Sequence, residues 1–204
     1  MADTDGRDPG PRPPDHGPGA WVPLGAATAV TVLLVTVWPL LNAALPDTEP
    51  VRSGQALRVG SEGGYDAALT FERGGWELHP AASTADRSYL FSRGPVELTV
   101  RSVVPVEETP PSATELWHGL GRIVRTEDPD ARLGDPRPVA ADAGAPGLTG
   151  PLSGDEDGVA ALYPSPDGVF AVQLVLSGPD ATPADLAAVE DVVRSIAFSE
   201  GGSA

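Results

Sequence analysis

"GVAALYPSPDGVFAVQLVL", residues 158–176, decides the fold. Two apolar runs flank Pro164, Ser165, Pro166, Asp167 and Gly168, and an Asp-Gly pair supplies the backbone conformations of a tight turn between antiparallel strands. The second run is apolar on both faces. Phe170, Val172, Leu174 and Leu176 share one side, and Ala171 and Val175 share the other. A strand of that kind is expected at the centre of a sheet, so its neighbours must come from the rest of the chain.

Downstream, "TPADLAAVEDVVRSI" (182–196) carries helix-start chemistry: Thr182 as cap, Pro183 at the first position and Asp185 closing the box. Leu186, Val189, Val193 and Ile196 form its predicted buried stripe, and "IAFS" is read as a last edge strand. Upstream, "YDAALTF" (65–71) alternates as a half-buried strand does. "SYLF" and "VELTVRSVV" flank Ser92–Arg93–Gly94–Pro95 as a hairpin. In its second arm Val96, Leu98, Val100 and Val104 are placed on one face, opposite a partly wet face of Glu97, Thr99 and Arg101. "SATELWHGLGRIV" (112–124) opens on Ser112 with Glu115 three residues later, a capping box ahead of Leu116, Leu120, Ile123 and Val124. Gly119 and Gly121 weaken this segment, so a short helix is expected. Residues 126–151 are rich in Asp, Pro and Gly and read mostly as loop, with short strands near 137–140 and 147–148. Leu57 and Val59 suggest a first short strand. Hairpins, a helix, further hairpins and a final helix define an α+β class: one domain with a mostly antiparallel sheet packed by two main helices.

Three of these stretches, "GGWELHP", "YLFSRGPVELTVRSV" and "LAAVEDVVRSIAFSE", give the chain a resemblance to the PsbP-like α/β sandwich domains of actinobacterial single-pass envelope proteins. Gly75, Trp76, Arg194, Ser195, Ile196 and Phe198 fit that pattern, and the match covers residues 65–199. The resemblance implies a non-enzymatic accessory or binding role and carries no catalytic residue over.

"AWVPLGAATAVTVLLVTVWPLLNAAL" (20–45) lies in an uncharged window from Gly17 to Pro46. As a helix rising ~1.5 Å per residue it would reach roughly 39 Å, enough to cross a hydrocarbon slab of ~30 Å with some tilt. Trp21 and Trp38 would then sit ~26 Å apart, a spacing that suits the two membrane interfaces. The run is about twice the ~7–15 residues of a secretory signal core, and Asn42 and Ala44 make a poor cleavage site. A permanent anchor is therefore expected, with a secreted soluble product after cleavage as the alternative. Arg7 and Arg12 before the span balance Arg52 and Arg58 after it, so the large C-terminal domain sets the orientation. The predicted organisation is a disordered cytoplasmic tail (1–19), a transmembrane helix (20–45) in contact with the bilayer, a linker (46–64), an extracytoplasmic α+β domain (65–199) and a flexible C-terminus (200–204).

Every one of the 13 basic residues is Arg, and cysteine is absent. The Arg, Ala, Gly, Pro and Val bias is what GC-rich codons give, as in an actinomycete, and disulfides and Cys-bound zinc are excluded. From residue 47 onward, 25 acidic residues against 11 Arg leave a net charge of −14. That charge repels nucleic acid, so no nucleic-acid partner is expected. There is no G-x-S-x-G elbow, H-E-x-x-H, P-loop or dinucleotide glycine pattern, and no catalytic residue or cofactor is expected. His16 lies in the tail, and His79 with His118 could at most make a metal pair. Trp76 and Trp117 are read as core residues ahead of an aromatic ligand wall. Glu107 and Glu108 would need a third carboxylate opposite for acid–base chemistry. Asp155, Glu156 and Asp157 are the candidate cation ligands, although they lack the alternating spacing of a calcium loop. The functional expectation is a membrane-anchored binding or scaffold module of a bacterial envelope with a protein partner. The alternative in a different class is an anchored carboxylate-dependent hydrolase.

Overall fold

The computed structural model describes Thr31 and residues 47–106, 109–154, 157–178 and 183–201. Contacts divide the chain into Met1–Pro46 and Asp47–Ala204. Apart from Thr31, the predicted membrane span, including Trp21 and Trp38, lies outside the described residues, as do His16, Glu107, Glu108, Asp155, Glu156 and Thr182. Among the described residues no helix is long and apolar enough to cross a membrane.

In chain order the second unit contains β1 (Glu49–Pro50), β2 (Gln55–Glu62), β3 (Tyr65–Phe71), β4 (Glu77–Leu78), a 3-10 turn (Pro80–Ala82), β5 (Ser88–Arg93), β6 (Val96–Val103), α1 (Ala113–Glu127), β7 (Arg132–Leu133), β8 (Arg137–Ala140), β9 (Pro146–Ser153), β10 (Gly158–Pro164), β11 (Ala171–Ser177), α2 (Pro183–Arg194) and β12 (Ala197–Glu200). One antiparallel sheet runs β1-β4-β5-β6-β11-β10-β9-β7, with β8 also paired to β9, and a second runs β12-β3-β2. The class is α+β, as the order of elements implies. β11 sits at the centre, hydrogen-bonded to β6 on one side and β10 on the other. Its alternate residues therefore face two different layers.

Val172, Leu174 and Leu176 join Phe71, Trp76 and Phe91 in the larger core, which α2 closes with Ala188, Val189 and Val192. On the opposite face Ala160, Leu162 and Ala171 receive Leu116, Trp117, Leu120 and Val124 of α1. The large sheet is thus covered by a small sheet and α2 on one face and by α1 on the other. Val193, placed on the buried stripe from sequence, is only partly buried; Ala188 and Val192 take that role with Val189. Val104, grouped with the inward face of β6, lies beyond the strand's end and is 49% exposed.

Three segments are more ordered than their composition suggests. β2 takes up eight residues of the stretch read as linker. α1 runs 15 residues, past both glycines, because four large residues on one face are buried. β9 runs eight residues, six of them (146–151) in the stretch read mostly as loop. Its glycines are packing slots: a Cβ on Gly147 would come within 2.5 Å of the Tyr163 ring, and one on Gly150 within 2.8 Å of the Trp117 ring. β8 pairs with β9 up to Thr149 and β7 from Leu152, so the change of partner falls at Gly150–Pro151, where proline has no N–H to donate.

Candidate functional site

A groove of about 960 Å³ follows one flank of α1, between the helix and the chain leaving β6 (103–106 and 109–111). Leu116, Gly119, Ile123 and Thr126 recur at the three- and four-residue spacing that keeps side chains on one flank of a helix. The capping box positions the start of that flank. The Oγ of Ser112 accepts from the Glu115 N–H at 3.3 Å, and a Glu115 carboxylate oxygen accepts from the Ser112 N–H and hydroxyl, each at 2.8 Å. Those two donors, the backbone N–H first, hold the Glu115 carboxyl below its ordinary range. Val104 and Val106, 49% and 99% exposed, line the groove from the chain that leaves β6.

Gln173 of β11 forms part of the groove lining. It is 3% exposed, and its Oε1 is buried without a hydrogen-bond partner among the described residues. An unpaired buried acceptor costs about 1–3 kcal/mol. Gly119 is unexplained by packing: a Cβ there would meet only the end of the Arg122 side chain, at 3.7 Å. Alanine would favour the helix by ~1 kcal/mol, so the missing side chain leaves the middle of the groove open at a cost to the helix.

The solvent side of α1 carries His118, Arg122 and Arg125. Arg122 forms no ion pair among the described residues, and Arg125 donates through Nε to the Gly121 carbonyl at 3.1 Å. Neighbouring carboxylates are engaged: Glu115 in the cap, and Glu127 with Arg101 at 2.6 Å. A smaller cleft of about 200 Å³ on the other flank is lined by His118, Arg125, Arg132 and Asp135. Arg132 there donates through one Nη to the carbonyls of Pro129 and Ala131, at 2.9 and 2.8 Å. The groove combines apolar walls with one buried acceptor that has no partner among the described residues, which suits recognition of an apolar, hydrogen-bond-donating ligand.

The residues singled out from sequence are not brought together. Trp76 is packed in the core shared with α2, and Trp117 in the core beneath α1, with its Nε1 donating to the Gly134 carbonyl at 3.1 Å. They lie on opposite faces of the sheet, as core residues and not as an aromatic wall. His79 follows β4 and contacts the Ser92 Oγ at 2.8 Å. His118 lies on α1 over β10, so three strands separate the two histidines, roughly 19 Å at ~4.8 Å per strand step. Asp157 is exposed. Among the described residues no group of three or more His, Asp or Glu is placed to hold a metal ion.

No protein-family model matches the chain, and no curated protein matches it. Among solved structures it is similar to cyanobacterial PsbP (CyanoP) from Synechocystis sp. PCC 6803. The TM-score is 0.47 and the identity 15%, over 76% of this chain and 99% of that one.

Gln173 and Arg122 were not singled out from sequence, and Gly119 was read only as weakening the helix. The signal for the first was present: Gln173 is the single strongly polar residue inside "AVQLVL", the run that marks the central strand.

Proposed function

We propose that this chain is a membrane-anchored binding or accessory module of a bacterial cell envelope. Residues 20–45 hold it in the bilayer, and the α+β domain presents the groove along α1 to a protein partner outside the cytoplasm. The uncharged length of 20–45 supports the anchor, and the net charge of −14 from residue 47 onward supports a solvated domain that nucleic acid does not approach. The resemblance of residues 65–199 implies the same class of role.

The observation that carries binding is the buried, unpartnered Oε1 of Gln173 in a groove walled by exposed Val106. A monomer with no ligand for that groove would leave both the unpaired acceptor and the exposed valine uncompensated. The test is recovery of partners by the full-length tagged chain from detergent-solubilised envelope, in parallel with Ile123→Asp, which places a charge on the groove wall. A partner recovered by the wild type and lost by the variant is the expected result. Equal recovery by both would remove the groove from the account.

A further inference from the structure

We propose that the smaller cleft, on the other flank of α1, binds a small zwitterion that carries its carboxylate and ammonium groups on one carbon, as a free α-amino acid does. The cleft, of about 200 Å³, lies between α1 and the chain joining β7 to β8. It shares one lining residue with the groove, His118, and its ligand is independent of the groove's partner.

Backbone bonds hold the walls. The Gly134 N–H donates to the Pro151 carbonyl at 2.8 Å, and the Gly134 carbonyl accepts from the Trp117 Nε1 at 3.1 Å. The next two residues, Asp135 and Pro136, are thereby carried on a segment tied to both β9 and the helix. On the helix side Gly121 has no side chain to fill the space in front of Leu133, whose Cβ a methyl group there would meet at 3.6 Å.

Opposite charges line this cleft without meeting. Arg125 donates through Nε to the Gly121 carbonyl, which leaves both of its Nη groups. Arg132 uses only Nη1, on two carbonyls, which leaves its Nε–Nη2 edge. Such an edge can grip a carboxylate through two parallel hydrogen bonds. The Asp135 carboxylate lines the same cleft and forms no hydrogen bond or ion pair with a described residue. Elsewhere in the domain Arg58, Arg73, Arg93, Arg101 and Arg194 each pair with a carboxylate, so guanidinium and carboxylate left apart across one small cleft are an exception. A zwitterion closes that gap, its carboxylate on the arginines and its ammonium on Asp135.

Two further features select this ligand over a plain anion or a large molecule. The net charge of −14 from residue 47 onward repels a free anion and leaves a net-neutral molecule unopposed. The volume falls below the ~300–1,000 Å³ of pockets for drug-sized molecules, and Leu133 and Pro136 give the lining an apolar part that suits a short aliphatic side chain.

The test uses the full-length chain in phosphatidylcholine nanodiscs, in a buffer free of amines, carboxylates and phosphate. Ligand-observed NMR titrations compare L-alanine with propionate and ethylamine, which lack its ammonium and its carboxylate respectively. Alanine should bind at least about tenfold more tightly than either, the loss of one charge-assisted contact in each case. Asp135→Asn should bring alanine down to the affinity of propionate and leave propionate unchanged or tighter. Arg132→Gln should weaken alanine and propionate alike by about tenfold and leave ethylamine unchanged. Thermal midpoints of both variants should equal that of the wild type, since both residues are exposed. Should a variant fail to fold, the comparison of alanine with its two analogues on the unaltered chain still decides. No binding of alanine, alanine no tighter than propionate, or the full preference for alanine retained in Asp135→Asn would overturn the proposal. Propionate bound best, and lost in Arg132→Gln, would make the cleft a simple anion site and overturn it too.

Discussion

Tyr163→Phe should stabilise the fold at pH 8 and abolish a loss of stability that the wild-type chain is expected to suffer between pH 10 and 12. Tyr163 lies on β10 with no exposed surface, its ring seated over Gly147, and its hydroxyl has no hydrogen-bond partner among the described residues. Burial pushes its pKa up to about 12; Arg194 opposes the shift and Asp142 adds to it, and these two side chains pair with each other at 2.7 Å. The folded state therefore keeps a proton that the unfolded chain releases from pH 10 upward. Stability is fully present below pH 10 and falls as pH rises towards 12, since fewer protons are bound in the unfolded state across that window. Two pKa units at ~1.36 kcal/mol each correspond to roughly 3 kcal/mol. The chain has no Lys and no Cys, so the side chains that titrate between about pH 9.5 and 12 are its tyrosines. Tyr65 and Tyr89 are present in both proteins and cancel in the difference. At pH 8 the phenylalanine also removes an unpaired buried hydroxyl, a gain of about 1–3 kcal/mol. Urea unfolding in mild detergent, followed by tryptophan fluorescence at pH 8 and 11.5, measures both effects. A variant less stable than wild type at pH 8, or one with the same alkaline loss, would refute the reasoning.

Three other outcomes are expected. Val192→Asp, which puts an unpaired charge into the core under α2, should cost several kcal/mol by the same unfolding assay; a change within ~0.5 kcal/mol would mean α2 is not docked as described. Neutralising Asp155, Glu156 and Asp157 together as Asn, Gln and Asn should change stability by no more than ~0.5 kcal/mol, and millimolar calcium should not raise the wild-type thermal midpoint; a calcium shift abolished by the triple variant would make that turn a metal site. A periplasmic-type reporter fused after Ala204 should be active, with the uncleaved full-length mass recovered from membranes; cytoplasmic reporter activity would reverse the orientation.

The central hairpin and the capping box were legible because each is fixed by local chemistry. Asp167 and Gly168 make the turn, with Gly168 at φ 72°, and Ser112 and Glu115 complete each other's bonds three residues apart. β9 was obscured because glycine signals chain reversal in sequence but here receives the rings of Tyr163 and Trp117, whose positions only the tertiary fold supplies. The groove was harder still. Its charged residues look like an ordinary solvated helix face, and the significance of Gln173 depends on which face of a central strand it occupies and on its amide oxygen meeting no donor among the described residues. His79 and His118 show the converse: residue types suggested a pair, and sheet order separates them.

The central claim, that the flank of α1 is a binding surface in the envelope, is tested most directly by photo-crosslinking in intact cells. The full-length chain would carry a benzophenone side chain in place of Ile123, with a matched chain labelled at Arg73, which lies after β3 of the second sheet. The account predicts a discrete adduct of higher mass in the membrane fraction from position 123 and none from position 73. No adduct at 123, or the same adduct from both positions, would contradict it.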